Sequence, residues 1–393
     1  MNKVKFGIIG LGNQGTYYSN IFKNGEIENA VITAVCDNNP KKVEAYLNSF
    51  SWENLAIFSD YKEMIKSGKC DAILIETPHY SHPEMVIECL KNGIHVICDK
   101  PAGVYTKQVR EMNEIAKKYN TRFAMMFNQR TNCVYRKMRE IIKEGGIGEL
   151  QRVNWIITDW FRTQVYYNSG GWRATWKGEG GGVLINQCPH QIDLVQWVVG
   201  KMPTSVRGFC QYGRWHNIEV EDEVTAFFTY DNGATGVFIT TTGEAPGTNR
   251  FEISGTKGKL ICENDKLQWY KNKIDSQEFS NSPDVGPFNR PSCDIIEVET
   301  DGQNPQHKGI INNFANAILG IEEQFVQGVE GINGVELMNA IELSGWKNGE
   351  EIILPVNEEE YLNELQKRCA VSRIKDVEDK VSNTSGSFES KKL

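Results

Sequence analysis

The chain has 393 residues, 40% apolar and 24% charged, with a formal net charge of −8. That length suggests two or three domains. The acidic balance and the lack of a Lys/Arg block argue against a nucleic-acid surface, and no apolar run approaches a membrane span, so neither partner is expected.

The first element in chain order is a buried strand over residues 4–9. Gly10-Leu11-Gly12-Asn13-Gln14-Gly15 follows directly, and a helix is predicted over 16–23. A second strand, 31–36, ends in Asp37. Strand, GxGxxG, helix and a later acidic residue form the context of a dinucleotide fingerprint. Gly10 permits the tight turn, Gly12 lets the backbone approach a pyrophosphate, and Gly15 allows close helix–strand packing. Asp37 suits the ribose hydroxyls of NAD and would repel the extra phosphate of NADP; its other reading is a cap for the next helix.

Helices over 41–50, 61–67, 83–92 and 106–119 alternate with strands over 56–58, 71–76, 94–98 and 122–126. This rhythm predicts parallel βαβ units in a doubly wound sheet. Ligands of such sheets sit beyond the strands' carboxyl ends, so the loops beginning at Gly10, Asp37, Thr77, Asp99 and Phe127 should meet in one crevice. From about residue 150 the rhythm changes. Strand-like runs at 153–161, 205–212, 223–230, 234–242, 250–254 and 259–262 predict a largely antiparallel sheet with one face covered. Helices are expected at 189–198, 308–319 and 334–347. The polar end reads as a disordered tail.

The ten cysteines are scattered without a CxxC pair, and several fall in predicted strands. They read as buried thiols in a reducing cytoplasm rather than a disulfide framework or zinc site. The histidines lack helical metal-ligand spacing, so no metal is expected. No signal peptide is expected from the opening residues.

Two clusters could carry chemistry. Lys100, in Asp99-Lys100-Pro101, could hydrogen-bond a substrate hydroxyl and stabilise its oxygen as a proton leaves; most lysines are simply solvated. His190 follows Gly180-Gly181-Gly182, in the first turn of a helix opened by Pro189. The positive helix end favours a neutral, basic imidazole there, while the plainer reading is a histidine buried for packing. Asn186 could orient His190, and Asp193 shares its helix face. Asp159-Trp160-Phe161-Arg162, Tyr166-Tyr167 and Trp172…Trp176 suit the faces and edges of a sugar ring, or could equally pack the sheet.

Taken together, Gly10–Gly15, Asp37, Glu76-Thr77-Pro78, Asp99-Lys100-Pro101, Asn128-Gln129-Arg130, Trp172-Arg173 and the glycine run with His190 and Asp193 resemble the Gfo/Idh/MocA oxidoreductases, over about residues 3–355. The resemblance implies an NAD-binding Rossmann domain (1–128), then a substrate-binding and oligomerisation α+β domain (129–368) with an open-faced, mainly antiparallel sheet. Residues 369–393 would be the tail. It also implies NAD as cofactor, a dimer or tetramer formed through the open sheet face, and a sugar, glycoside or cyclitol as substrate. Lys100 and His190 match the family's catalytic pair, and Thr77, Pro78, His82, Asn128 and Arg173 match positions that line cofactor and active site. The cofactor set expected from all this also includes Gly10, Gly12, Asn13, Gln14, Gly15, Asp37, Asp99, Lys100 and Trp172. The expected substrate set is Lys100, Asp159, Arg162, Tyr167, Arg173 and His190, with Asn186 and Asp193 added to the catalytic pair. The family often carries Asp where this chain has Asn186, so either His190 is less basic or another acid, such as Asp193 or Asp159, compensates. The expected activity is hydride transfer from a secondary alcohol, C3 of a hexose being one subclass implied by the resemblance. An NAD-dependent, redox-neutral glycosidase and a non-catalytic NAD- or sugar-binding regulator are the alternatives.

Overall fold

The computed structural model describes residues 3–373 and 375. In the first half, strands β1 (Val4–Ile9), β2 (Ala30–Cys36), β3 (Ala56–Phe58), β4 (Ala72–Ile75), β5 (His95–Cys98) and β6 (Phe123–Met125) alternate with helices α1 (Asn13–Lys23), α2 (Pro40–Ser49), α3 (Tyr61–Lys66), α4 (His82–Lys91) and α5 (Thr106–Ala116). The six strands lie in the order β3-β2-β1-β4-β5-β6, every pair parallel. This is the doubly wound arrangement, and it explains the unbroken apolar runs: β4 is buried at all four positions because helices cover both faces. Asn39 and Asp60 cap α2 and α3 with their side chains, so the capping role open to Asp37 falls to Asn39 instead.

The second half holds α6 (Cys133–Lys143), β7 (Leu150–Ile157), α7 (Gln164–Tyr167), α8 (Pro189–Val199), β8 (Ser205–Tyr212), β9 (Glu221–Thr229), β10 (Thr235–Thr241), β11 (Asn249–Gly255), β12 (Gly258–Glu263) and β13 (Lys266–Asn272). It continues with α9 (Ser276–Ser280), β14 (Cys293–Glu297), α10 (Gln306–Ile318), α11 (Gly331–Trp346), β15 (Ile352–Ile353) and α12 (Glu358–Ala370). Its nine-stranded sheet, β14-β13-β12-β11-β7-β10-β9-β8-β15, is antiparallel except where β7 meets β10. On the covered face Trp155 stacks on Phe251 at 4.1 Å and meets Tyr135 of α6 at 5.9 Å. On the other face Ile156, Phe209 and Phe227 are exposed, as alternation along a half-covered sheet dictates.

Three differences from the predicted elements have physical reasons. The strand expected to reach residue 161 ends at Ile157; Thr158 stays buried, its side chain donating to Glu244, and residues 159–162 leave the sheet to line a cavity. Helix α6 is absent from the prediction, although Asn132 caps it and Val134, Tyr135, Met138 and Ile141 are buried at helical spacing. Helix α12 runs to Ala370, past the boundary expected at 368; the rest of the expected tail lies mostly outside the described residues. All ten cysteines are unpaired. Among the described residues, no helix is long and apolar enough to cross a membrane.

The β1–α1 turn is where packing is tightest. A Cβ on Gly10 would stand 2.3 Å from the Glu76 carbonyl oxygen, and Gly10 has φ +99. A Cβ on Gly15 would stand 2.0 Å from the Gly10 carbonyl oxygen. Both contacts are with backbone, which cannot rotate away. We therefore predict that Gly15→Ala costs about 2 kcal/mol or more, measured by denaturant unfolding, whereas an unchanged midpoint would show the turn to be pliable.

Candidate active site

A cavity of about 1680 Å³ runs between the carboxyl ends of the first sheet and one end of the second. One small-molecule pocket occupies roughly 300–1,000 Å³, so this one has room for more than one ligand.

At one end lie Gly10, Gly12, Asn13, Gln14 and Asp37. Gly12 meets nothing within 4 Å where its Cβ would be, so a side chain there would project into the cavity. It is the N-cap of α1 but offers no side-chain cap, and the first turn holds no acid. Free amides and open space at a helix start fit a pyrophosphate. Gly15 lies behind this wall, serving packing alone. Asp37 closes the end: its carboxylate accepts the Leu11 amide at 2.8 Å and the Asn39 amide at 2.9 Å. It thereby ties the glycine loop to the end of β2, and it remains part of the cavity lining.

Thr77, Pro78, Asp99, Lys100 and Asn128 line the middle. Lys100 donates to the Asn186 carbonyl oxygen at 2.9 Å, and burial lowers its pKa against the opposing pull of Asp99. Glu76 lines the same stretch; burial first, then the Asp99 charge, holds its carboxyl well above the usual range. Asn128 bonds Gln306 at 2.5 Å.

From the second domain come Asp159, Arg162, Tyr166, Trp172, Arg173, Asn186 and His190. His190 sits in the first turn of α8, after Pro189. Its Nδ1 has no hydrogen-bond partner among the described residues. Burial, then the charges of Lys100 and His307, push its pKa well below the ordinary value, which leaves a neutral imidazole at pH 7. Arg162 lies over Trp160 and Tyr166 at 5.5 and 5.3 Å, and Arg173 over Tyr166 and Trp172 at 4.4 and 4.7 Å.

Four of the residues expected here do something else. Asp193 lies outside the cavity lining: its two oxygens receive Arg130 at 2.7 and 2.6 Å, in an ion pair whose side chains are both 1% exposed. It cannot supply the acid that Asn186 lacks. Tyr167 is buried and donates to Thr242 at 2.7 Å, so Tyr166 takes its place at the wall. His82 stands behind the wall, its ring nitrogens 2.7 Å from the carbonyl oxygens of Pro101 and Thr77. Those two acceptors favour a doubly protonated ring and burial opposes it; burial is the larger effect. Asn186 does not orient His190: its amide donates to Glu179, and its oxygen accepts from Tyr166 at 3.3 Å.

Sequence reasoning missed Glu179 and His307. Glu179 is a buried carboxylate inside the Gly-Glu-Gly-Gly-Gly run, and that placement was its only signal. His307 opens α10 and lines the cavity; nothing in its sequence surroundings marks it. Burial, then the Lys100 charge, lowers its pKa to about 4.

The fold thus brings a glycine-loop end and a Lys/His end into one cavity. Residues 4–127 match the oxidoreductase family, NAD-binding Rossmann fold, and residues 135–261 match the GFO/IDH/MocA C-terminal domain. The chain belongs to the Gfo/Idh/MocA oxidoreductase family. It is 25% identical over 207 residues to the rhizopine catabolism protein MocA of Rhizobium meliloti, the match covering 53% of this chain and 61% of that one. Its likeness to myo-inositol 2-dehydrogenase of Thermotoga maritima is 25% over 268 residues, 66% of this chain and 75% of that one. The fold is shared with the WlbA dehydrogenase of Bordetella pertussis, solved with NADH and UDP-GlcNAcA, at a TM-score of 0.74 and 24% identity, covering 91% of this chain and 100% of that one.

Two outcomes follow. Asp193→Leu leaves the buried Arg130 with the partly exposed Glu330 carboxylate as its remaining charge partner and should cost about 3 kcal/mol by chemical denaturation; a cost below about 1 kcal/mol would mean the ion pair is not a structural anchor. His190, His79 and His307 all have lowered pKa values, burial being the first cause in each. The unfolded chain therefore binds protons below about pH 6.5 that the folded chain refuses. Stability is complete above that pH and falls as acid is added, toward about 4 for His307. His307→Gln should flatten the slope of melting temperature against pH in this window, and an unaltered slope would remove His307 from the account.

Proposed function

We propose that this chain is an NAD-dependent oxidoreductase that transfers hydride between a secondary alcohol of a sugar, glycoside or cyclitol and the nicotinamide. The observation that carries the reading is the shared cavity: an amide-rich, side-chain-free wall at Gly12 with Asp37 beside it, and a half-buried Lys100 with a neutral His190 beyond. NAD, when bound, supplies the hydride acceptor. His190 accepts the hydroxyl proton as general base. Lys100, its ammonium fixed on the Asn186 carbonyl, donates to the same hydroxyl oxygen and stabilises the charge left there. Asp37 selects NAD by accepting ribose hydroxyls and repelling a phosphate. Trp172, Tyr166 and Arg173 offer ring faces and donors to a polyol.

The relatives' printed names support the substrate class, since one acts on myo-inositol. The exposed apolar residues Ile156, Phe209 and Phe227 support assembly of identical subunits across the open sheet face. The unpaired cysteines suit a reducing cytoplasm.

Purified protein should produce NADH absorbance with NAD and one class among sugars, cyclitols and glycosides, and much less with NADP. Lys100→Met and His190→Asn should each lower kcat about 100-fold or more while melting near the parent protein. Folded variants with full turnover would overturn these roles. Asp37→Ala should erode the preference for NAD; a preference for NADP in the parent protein would contradict the role given to Asp37.

A further inference from the structure

Behind the cavity wall lies a carboxylate that the proposed proton route does not use. Glu179 is 1% exposed, yet its carboxyl group touches the machinery at three points. One oxygen accepts the Ala174 amide. The other accepts the Asn186 side-chain amide and stands 3.7 Å from the Arg173 guanidinium. Arg173 donates in turn to the Tyr166 hydroxyl at 2.6 Å, and Tyr166 donates to the Asn186 side-chain oxygen at 3.3 Å. The ring closes on itself: Glu179, Asn186, Tyr166, Arg173.

An asparagine side chain can face either way, and only its partners decide which end presents a donor and which an acceptor. Burial raises the Glu179 pKa, against the Arg173 charge and the Ala174 amide, which favour the ionised form; ionised, the carboxylate accepts and cannot donate, so Glu179 compels the Asn186 amide nitrogen to point inward. The Asn186 oxygen must then face Tyr166 and the cavity. The same residue's backbone oxygen receives Lys100 at 2.9 Å, so the placement of Asn186 is also the placement of the ammonium.

We infer that Glu179 is a positioning residue: it fixes the Asn186 side chain as a hydrogen-bond acceptor facing the substrate space and, through that loop, holds Lys100 and Arg173 in line. The inference rests on the proposed oxidoreductase reading for its effect on turnover, but not for its effect on stability. Asparagine at 186 and glutamate at 179 form one unit. A carboxylate at both positions sets two like charges in contact, which only a shared proton relieves. An amide at both lets position 186 flip and present a donor.

The test compares Glu179→Gln, Asn186→Asp and the double variant that exchanges acid and amide, all in the full chain. Each single variant should lose about 100-fold in kcat/KM on the responsive substrate, and the exchange should return to within about tenfold of the parent. The pH profile supplies a second readout. Asn186→Asp should gain a new ionisation in kcat/KM that the exchange lacks. A third readout needs no substrate. Two facing carboxyls hold a proton that the unfolded chain releases near pH 4, so the melting temperature of Asn186→Asp should fall as pH rises from about 5 to about 8, and that of the exchange should not. Coupled losses with recovery in the exchange support the inference. Independent, multiplying losses, or a flat melting profile for Asn186→Asp, overturn it. Absence of turnover in the parent protein on every polyol would strike the oxidoreductase reading, and the melting profiles would still decide the role of Glu179.

Discussion

The contact on which the rest depends is the ammonium of Lys100 resting on the backbone oxygen of Asn186 at 2.9 Å. Lys100 follows β5 of the parallel sheet, and Asn186 lies in the loop before α8 of the second domain. A single charged group therefore needs both domains in register, and its partial burial makes an error in that register costly. Much of the surrounding structure serves this contact. His82 joins the loop of Thr77 to that of Pro101, fixing the backbone on either side of the lysine. The Arg130–Asp193 pair fastens the turn after β6 to α8, and Arg130 packs over Phe127 and Trp197 at 4.8 and 5.2 Å.

Electrostatics within the cavity follow from burying cations beside imidazoles. Lys100 lowers the pKa of His190, His79 and His307 alike, in each case adding to the larger effect of burial. Three neutral rings around one ammonium give a site that can take up a proton without first losing one. The compensating negative charge comes from Asp99 in the cavity wall and from Glu179 behind it, both of which pull the Lys100 pKa upward.

The parallel sheet was legible because its strands are buried on both faces and read as continuous apolar runs between amphipathic helices. The glycine loop was legible because steric demands at Gly10 and Gly15 leave no other residue possible, and because a strand and a helix flank it. The outer strands of the second sheet were not: β14 is exposed along its whole length, so its adjacent Ile295 and Ile296 form no alternating buried pattern. Asp193 shows the limit for site residues. Helical spacing placed it on the face of His190, but its partner Arg130 comes from a turn far back in the sequence, and spacing says nothing of that. Tyr166 and Tyr167 make the same point, since adjacent residues point apart and only the fold decides which one meets the cavity. Glu179 was hidden among glycines, and His307 had no local signature.

The most direct measurement is a crystal structure of the protein with NAD and a polyol that it oxidises. The account predicts the reacting hydroxyl within hydrogen-bond reach of both Lys100 Nζ and the His190 ring, with the Gly12 amide end against the pyrophosphate. A polyol bound with its hydroxyls turned away from Lys100 and His190 would contradict it.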